Sequence, residues 1–155
     1  MACDATARLY DVDEDSVVFE KLRKTEKYDQ GTITFRARGK KLIDLDQLHE
    51  SLWATRLSGG TRSGLVSLEV TTLGAVATND GKAVLKVSGS DKQFELGKHP
   101  DEKYAAALAK LQASGSRTVT VTGVIDNYVG RWPSVLQQQP TSPRRILVTS
   151  FEIAE

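Results

Sequence analysis

From Leu65 onward the sequence alternates apolar and polar residues in short runs, and this period of two constrains the fold more than any other feature. Successive side chains of a β-strand point to opposite faces, so the alternation predicts strands with one buried face. Turn sequences separate the runs, and residues 78–82 (TNDGK) carry the Asp-Gly pair that is typical of a tight β-hairpin. The second half of the chain is therefore predicted to be mostly β.

One helical run interrupts these strands. It has an acidic first turn, many Ala and Leu residues and a glycine stop, all of which favour a helix. Gly74 and Gly123 lie inside alternating runs and indicate places where a strand bends or coils. In chain order we predict strand 65–78, strand 82–89, strand 93–97, helix 101–113, strand 117–125 and strand 144–154.

This order resembles the OB fold, a five-stranded Greek-key barrel, with the helix here between the third and fourth strands. The resemblance depends on the bent first strand with Gly74, the Asn79-Asp80-Gly81 hairpin, the helix at 101–113 and the VTVTGVI strand with Gly123. It covers residues 65–155 and is one of topology. It implies that the second and third strands and the connecting loops bind ligands.

The first part of the chain is predicted to be an α/β unit spanning residues 1–60. For the segment after the acidic turn, two interpretations remain open: a helix capped by Ser16, or a strand through residues 17–19 that pairs with the next segment of the chain. Residues 31–38 (GTITFRAR) alternate as a strand does, and Asp44 is placed to cap a helix over residues 45–57. A short strand is also expected at residues 7–12.

Residues 31–70 show a weaker similarity to the heavy-metal-associated family, a ferredoxin-like unit that opens with a strand, a helix and a returning strand. The stretch that carries it is GTITFRARGKKLIDLDQLHESLWATRLSGGTRSGLVSLEV. Members of that family hold metal with a Cys-x-x-Cys motif in the first loop. The corresponding loop here, residues 37–44 (ARGKKLID), has neither Cys nor His, so the resemblance implies a unit without the metal function.

Charge and cysteine content narrow the function classes. The formal net charge is +1, so no global field attracts the chain to nucleic acid or to anionic lipid. The single cysteine, Cys3, excludes an internal disulfide, and it does not combine with His49 and His99 in any metal-ligand spacing. We predict no metal, no cofactor and no membrane span. The chain as given is expected to be soluble, and its compartment stays open between the cytoplasm and the cell envelope.

Catalysis is not expected. The sequence has no G-x-S-x-G elbow, and it offers only two histidines that could serve as a general base. The glycine-rich SGGTRSG stretch precedes a strand, whereas phosphate-binding loops lead into a helix. We therefore predict a protein that is not an enzyme.

The residues with binding character fall in three places on the predicted barrel. They lie on its second and third strands, in the 126–140 loop and at the start of its last strand. Their aromatic rings can stack on a ligand, and their positive charges attract phosphate or carboxylate groups. The candidate ligand-binding or partner-binding residues are Lys86, Phe94, Tyr128, Arg131, Trp132, Arg144 and Arg145.

The sequence thus predicts an α+β protein in which an N-terminal strand-helix unit packs on a five-stranded OB-like barrel. The expected function is recognition of a protein or peptide partner by the barrel edge and the 126–140 loop. Single-stranded nucleic-acid binding by the same barrel is the alternative. A second alternative is a bacterial envelope lipoprotein domain anchored through Cys3, which requires the first two residues to replace a removed signal.

Overall fold

The computed structural model describes residues 12–24, 29–40, 42, 48, 68–115, 117–125 and 144–154. The chain divides into two compact units, Met1–Gly64 and Leu65–Glu155. The described residues are mixed α+β and mostly strand. They include no helix that is both long and apolar enough to cross a membrane.

The described residues of the second unit form five strands and one helix. The strands are β3 (Glu69–Asn79), β4 (Lys82–Val87), β5 (Gln93–Lys98), β6 (Thr118–Ile125) and β7 (Arg145–Ile153). The helix, α1 (Ala107–Ala113), lies between β5 and β6 in the chain. Each run of alternating residues identified in the sequence thus contains a strand, although the ends differ by several residues at the first run.

Each of these five strands pairs with two others, so the sheet closes into a barrel in the order β3, β4, β5, β7, β6. The pairs are antiparallel except β5 with β7, which run parallel, with Leu96 opposite Ile146. β3 serves two partners in succession, since its first part pairs with β6 and its last part with β4. The barrel therefore closes through the pairing of β3 with β6 and through β7, which pairs with both β5 and β6.

The barrel interior is filled by one face of every strand. Leu85 on β4 stands opposite Val76 on β3 and Phe94 on β5, and all three side chains are buried. Leu111 on α1 is fully buried as well, and the helix contacts β5 and β7. The fully buried strand residues are Leu85, Val119, Val121, Ile125, Ile146 and Val148.

Two glycines allow the barrel to close. A Cβ atom on Gly74 would collide with the carbonyl oxygen of Lys86, and one on Gly123 would collide with that of Leu147. The register between β6 and β7 shifts between Thr122 and Gly123, which marks a β-bulge at the glycine where the sequence predicted that the strand coils. Strands approach each other at these points more closely than any residue with a side chain permits.

The helix begins later than the sequence predicted. Residues 101–106 form turns in which the Tyr104 N–H donates to the Asp101 carbonyl at 3.0 Å, and α1 begins only at Ala107. The Asp101 carboxylate accepts the Lys103 N–H at 3.0 Å, which gives that backbone donor a side-chain partner. The predicted glycine stop is correct, because Gly115 has a φ of +81° directly after the helix.

The first unit contains an antiparallel pair, β1 (Val18–Lys24) and β2 (Asp29–Thr34), with Phe19 opposite Ile33. The strand interpretation of the segment after Ser16 is therefore correct, and the helix interpretation is wrong. The predicted strand at 31–38 is shorter than expected, since β2 ends at Thr34 and a 3₁₀ turn occupies Arg38–Lys40.

The carboxylates of the acidic turn in this unit lie beside two arginines. Asp13 lies 3.8 Å from the Arg36 guanidinium, and Glu14 lies 3.7 Å from that of Arg38. Val12, which is fully buried, forms an isolated bridge with Ala37. Most of the predicted helix at 45–57, most of the predicted strand at 7–12 and Cys3 lie outside the described residues.

Most of residues 31–70 lie outside the described residues, so the ferredoxin-like resemblance stays a prediction. Among the residues that are described, β2 pairs with β1 in a two-stranded sheet, and β3, which begins at Glu69, belongs to the barrel. Both partners of β3 lie within the second unit.

Candidate binding surface

The outward-facing side chains of β4, β5 and β7 form the candidate surface, here called the β4–β5–β7 face. Because Leu85 and Phe94 point into the barrel, their neighbours in the chain point out of it. The strand registers place Lys86 opposite Gln93, Val84 opposite Glu95, and Glu95 opposite Arg145. The face is formed by Lys82, Val84, Lys86, Gln93, Glu95, Gly97, Arg145 and Leu147.

Charges of both signs lie on this face. The Lys82 Nζ atom is 3.5 Å from a Glu95 carboxylate oxygen, and the Glu95 side chain is only 23% exposed. Since Lys82 itself is largely exposed, the pair contributes little to stability, but it neutralises part of the positive charge. Lys86 stands beside the neutral Gln93 and is exposed.

Gly97 leaves room on β5 for the neighbouring strand. A Cβ atom there would lie 2.9 Å from Leu147 Cδ2 and 3.1 Å from Arg145 Cδ, so both side chains cross the glycine. Arg145 thus lays its aliphatic stem along the face, as long basic side chains commonly do. The preceding Arg144 anchors β7 to β5, since its carbonyl accepts the Glu95 N–H at 2.8 Å.

Phe94 is not a surface residue. Its side chain is 4% exposed and lies in the barrel interior beside Leu85. The prediction that Phe94 contacts a ligand is therefore wrong for this structure, because a buried ring offers no face for stacking. A five-stranded barrel needs its large apolar residues for its own core.

The other predicted site residues divide into two groups. Lys86, Arg144 and Arg145 lie on or at the start of the strands that form the β4–β5–β7 face. Tyr128, Arg131 and Trp132 lie outside the described residues, as does the whole 126–140 loop. The structure thus brings together the basic strand residues, and the predicted contribution of the loop stays a prediction.

Val84 is the feature of this face that sequence reasoning missed. It points outward, between Ala77 and Glu95, and yet only 4% of its surface is exposed. The sequence does contain an indication, because residues 83–85 (AVL) are apolar without a break and interrupt the alternation of β4. Such a run is typical of a strand that is covered on both faces.

The described residues contain no group of three or more His, Cys, Asp or Glu side chains close enough to hold a metal ion. His99 accepts a hydrogen bond from the Asp101 N–H at 3.0 Å through Nδ1 and meets the Tyr104 ring edge to face, with centroids 5.1 Å apart. His49 lies outside the described residues.

Comparison of the chain with protein-family models, with curated proteins and with solved structures gives no match.

Proposed function

We propose that the second unit is an OB fold. Two features support the proposal: the strand order of the closed barrel, and the helix between its third and fourth strands in the chain. Counted from β3, the order around the barrel is first, second, third, fifth, fourth, with the parallel pair between third and fifth. In this fold the face of the second and third strands is a common ligand-binding surface, and here those strands are β4 and β5.

We further propose that this unit is a non-enzymatic module that binds an extended protein or peptide segment carrying carboxylates. The observation that carries the proposal is the composition of the β4–β5–β7 face, where exposed lysines adjoin a shielded carboxylate and the nearest ring, Phe94, points inward. Mixed charge of this kind selects a partner by complementarity. Lys86 and Arg145 supply the positive groups, and the 126–140 loop, with Tyr128, Arg131 and Trp132, is expected to supply aromatic anchors.

Single-stranded nucleic acid is the second candidate, favoured by one observation. Three cations, Lys82, Lys86 and Arg145, lie on the face against one carboxylate, Glu95. Non-specific single-strand binding, however, depends on bases stacked on aromatic rings as well as on a basic groove. None of the described residues of this face is aromatic, so we rank this candidate below the peptide.

A peptide library tests the first candidate. Selection of a phage-displayed random peptide library on the protein is expected to enrich sequences with Asp and Glu. Reversing the charge with Lys86→Glu should abolish binding of the selected peptides. Arg117→Glu makes the same change of charge beside β6, which is not a neighbour of β4, and should leave binding intact. Peptides that bind both variants equally would contradict the proposal.

The contribution of the loop needs its own variant. If Trp132 is an anchor, Trp132→Ala should weaken the selected peptides by about 2 kcal/mol or more, as truncation of a hot-spot residue does. Isothermal titration calorimetry measures the loss. An unchanged affinity would restrict the binding surface to the strands.

A labelled oligothymidine tests the second candidate by fluorescence anisotropy. Nucleic-acid binding predicts an affinity that is measurable at about 50 mM salt and falls steeply as salt rises. It should also fall with Lys86→Ala or Arg144→Ala. The absence of binding at low salt would remove this candidate.

A further inference from the structure

A cleft of about 260 Å³ lies between residues 103–110, which lead into α1, and residues 149–151 of β7. We call it the helix cleft. The segment that ends in α1 forms one wall, and the residues around the β-bulge of β7 form the other. The residues that matter for its chemistry are Lys103, Tyr104, Ala107, Lys110, Ser150 and Phe151. The helix cleft uses none of the residues of the β4–β5–β7 face, so a ligand bound there is independent of the proposed function.

The charged groups of the helix cleft are both cations. Lys103 and Lys110 line it, both are exposed, and no carboxylate is among the described residues that line it. Asp101, which lies close by in the chain, directs its carboxylate to the Lys103 backbone N–H. The Lys103 ammonium lies 5.3 Å from the centroid of the Tyr104 ring. Two ammonium groups beside one cleft attract an anion, since each can donate hydrogen bonds but accept none.

Hydroxyl groups and apolar atoms complete the lining. Thr149 donates its hydroxyl to the Thr122 carbonyl at 3.1 Å, so its donor is already used. The Ser150 and Tyr104 hydroxyls are thus the neutral donors that remain for a ligand among the described residues of the cleft. Phe151 and Ala107 are half-buried and supply an apolar wall.

From this combination we infer that the helix cleft binds a small anion attached to an aromatic ring, such as an aryl carboxylate or an aryl phosphate. The anionic group lies between Lys103 and Lys110, and the ring lies against Phe151. Small-molecule pockets commonly measure about 300–1,000 Å³, so a volume slightly below this range limits the ligand to about the size of one substituted ring.

Four compounds separate the anion from the ring: phenyl phosphate, benzoate, benzamide and inorganic phosphate. Titrations followed by two-dimensional ¹H–¹⁵N NMR are expected to show saturable shifts at residues 103–110 and 149–151 with phenyl phosphate or benzoate, with a Kd of about 1 mM or below. Benzamide, which lacks the charge, and inorganic phosphate, which lacks the ring, should each bind at least about tenfold more weakly, a difference of about 1.4 kcal/mol. Equal binding of either control compound, or shifts located elsewhere, would overturn the inference.

Two kinds of variant assign the interaction to the helix cleft. The double variant Lys103→Gln and Lys110→Gln should weaken the aryl anions by about tenfold or more. Lys92→Gln with Arg117→Gln removes two positive charges from exposed residues that do not line the cleft and should leave the Kd unchanged. Ala107→Leu keeps both lysines but fills the cleft, so it should weaken phenyl phosphate far more than inorganic phosphate. If the lysine variant binds as well as the unaltered protein while its spectrum shows an intact fold, the cleft is not the site.

Discussion

Gly123 and Gly97 both lie on barrel strands, but the atoms around them differ in how far they can move. At Gly123 a Cβ atom would meet the Leu147 backbone carbonyl and Ile146 Cγ2, which would be 2.5 Å away. At Gly97 it would meet the end of the Leu147 side chain and the aliphatic stem of Arg145, and no backbone atom is among its three nearest neighbours. Gly123→Ala should therefore lower the free energy of unfolding by about 2 kcal/mol, as overpacking does.

Gly97→Ala is the matched control for that substitution. The change in its free energy of unfolding should be close to zero, because the neighbouring side chains can move aside. Alanine also restricts the unfolded chain, which favours folding by about 0.4–1 kcal/mol. Equilibrium unfolding in urea measures both variants. A loss near zero at Gly123 as well as at Gly97 would show that the β-bulge relaxes and that Gly123 is not required for closure.

Leu85 and Leu73 offer the same side chain in opposite environments. Leu85 is fully buried in the barrel, whereas Leu73 on β3 is 43% exposed. Leu85→Ala should cost about 3 kcal/mol of unfolding free energy, because it removes apolar burial and leaves a cavity. Leu73→Ala should cost less than about 1 kcal/mol. A similar loss at both positions, measured by urea unfolding, would mean that the outer face of β3 is covered as well.

The two turn residues of the β3–β4 hairpin, Asp80 and Gly81, define how β3 and β4 are connected. Asp80 has a φ of +50° and Gly81 a φ of +78°, as a type I′ turn requires. Gly81→Ala should destabilise the protein by about 1–2 kcal/mol, the cost of the left-handed region for a residue with a Cβ. Asp80→Asn should change stability by less than about 0.5 kcal/mol, since asparagine also tolerates this region. Thermal unfolding checks both, and an unaffected Gly81→Ala variant would show that the turn can change type.

Most of the strands could be predicted from local sequence, whereas the start of the helix could not. Alternation and the Asp-Gly turn are local properties, so β4, β5 and β6 followed from them. The residues before α1 have good helix propensity, but the Asp101 carboxylate and the His99 ring take backbone N–H donors into turns. Whether side chains compete for backbone N–H groups in this way depends on three-dimensional geometry, which helix propensity does not include.

The candidate surface was predictable only in part, for a related reason. Lys86 and Arg145 are polar residues on strands, so their outward position follows from the pattern. Phe94 was assigned to the ligand because it is aromatic, but its position opposite Leu85 places it in the core. Val84 could not be recognised as a covered outward residue until the register with Ala77 and Glu95 was known.

At the scale of the whole molecule, the second unit contains all the partners that its strands need. Each barrel strand pairs on both edges with strands of the same unit. The fragment 65–155 should therefore fold alone and unfold in one cooperative transition, as small single domains do. Far-UV circular dichroism during urea unfolding, with an NMR spectrum of dispersed signals, is the measurement. A fragment with strand content but without dispersed signals would show that the first unit is required for specific packing.

The position of β7 in the chain has a consequence for synthesis. β7 pairs with both β5 and β6, so the barrel cannot close until this last strand has been translated. At a synthesis rate of about 5–20 residues per second, β5 waits for seconds with one open edge. Unpaired strand edges accept foreign strands, and this interval is when a nascent chain is most exposed to mispairing. Slow codons between β6 and β7 should therefore lower the yield of soluble protein, whereas slow codons before β3 should not.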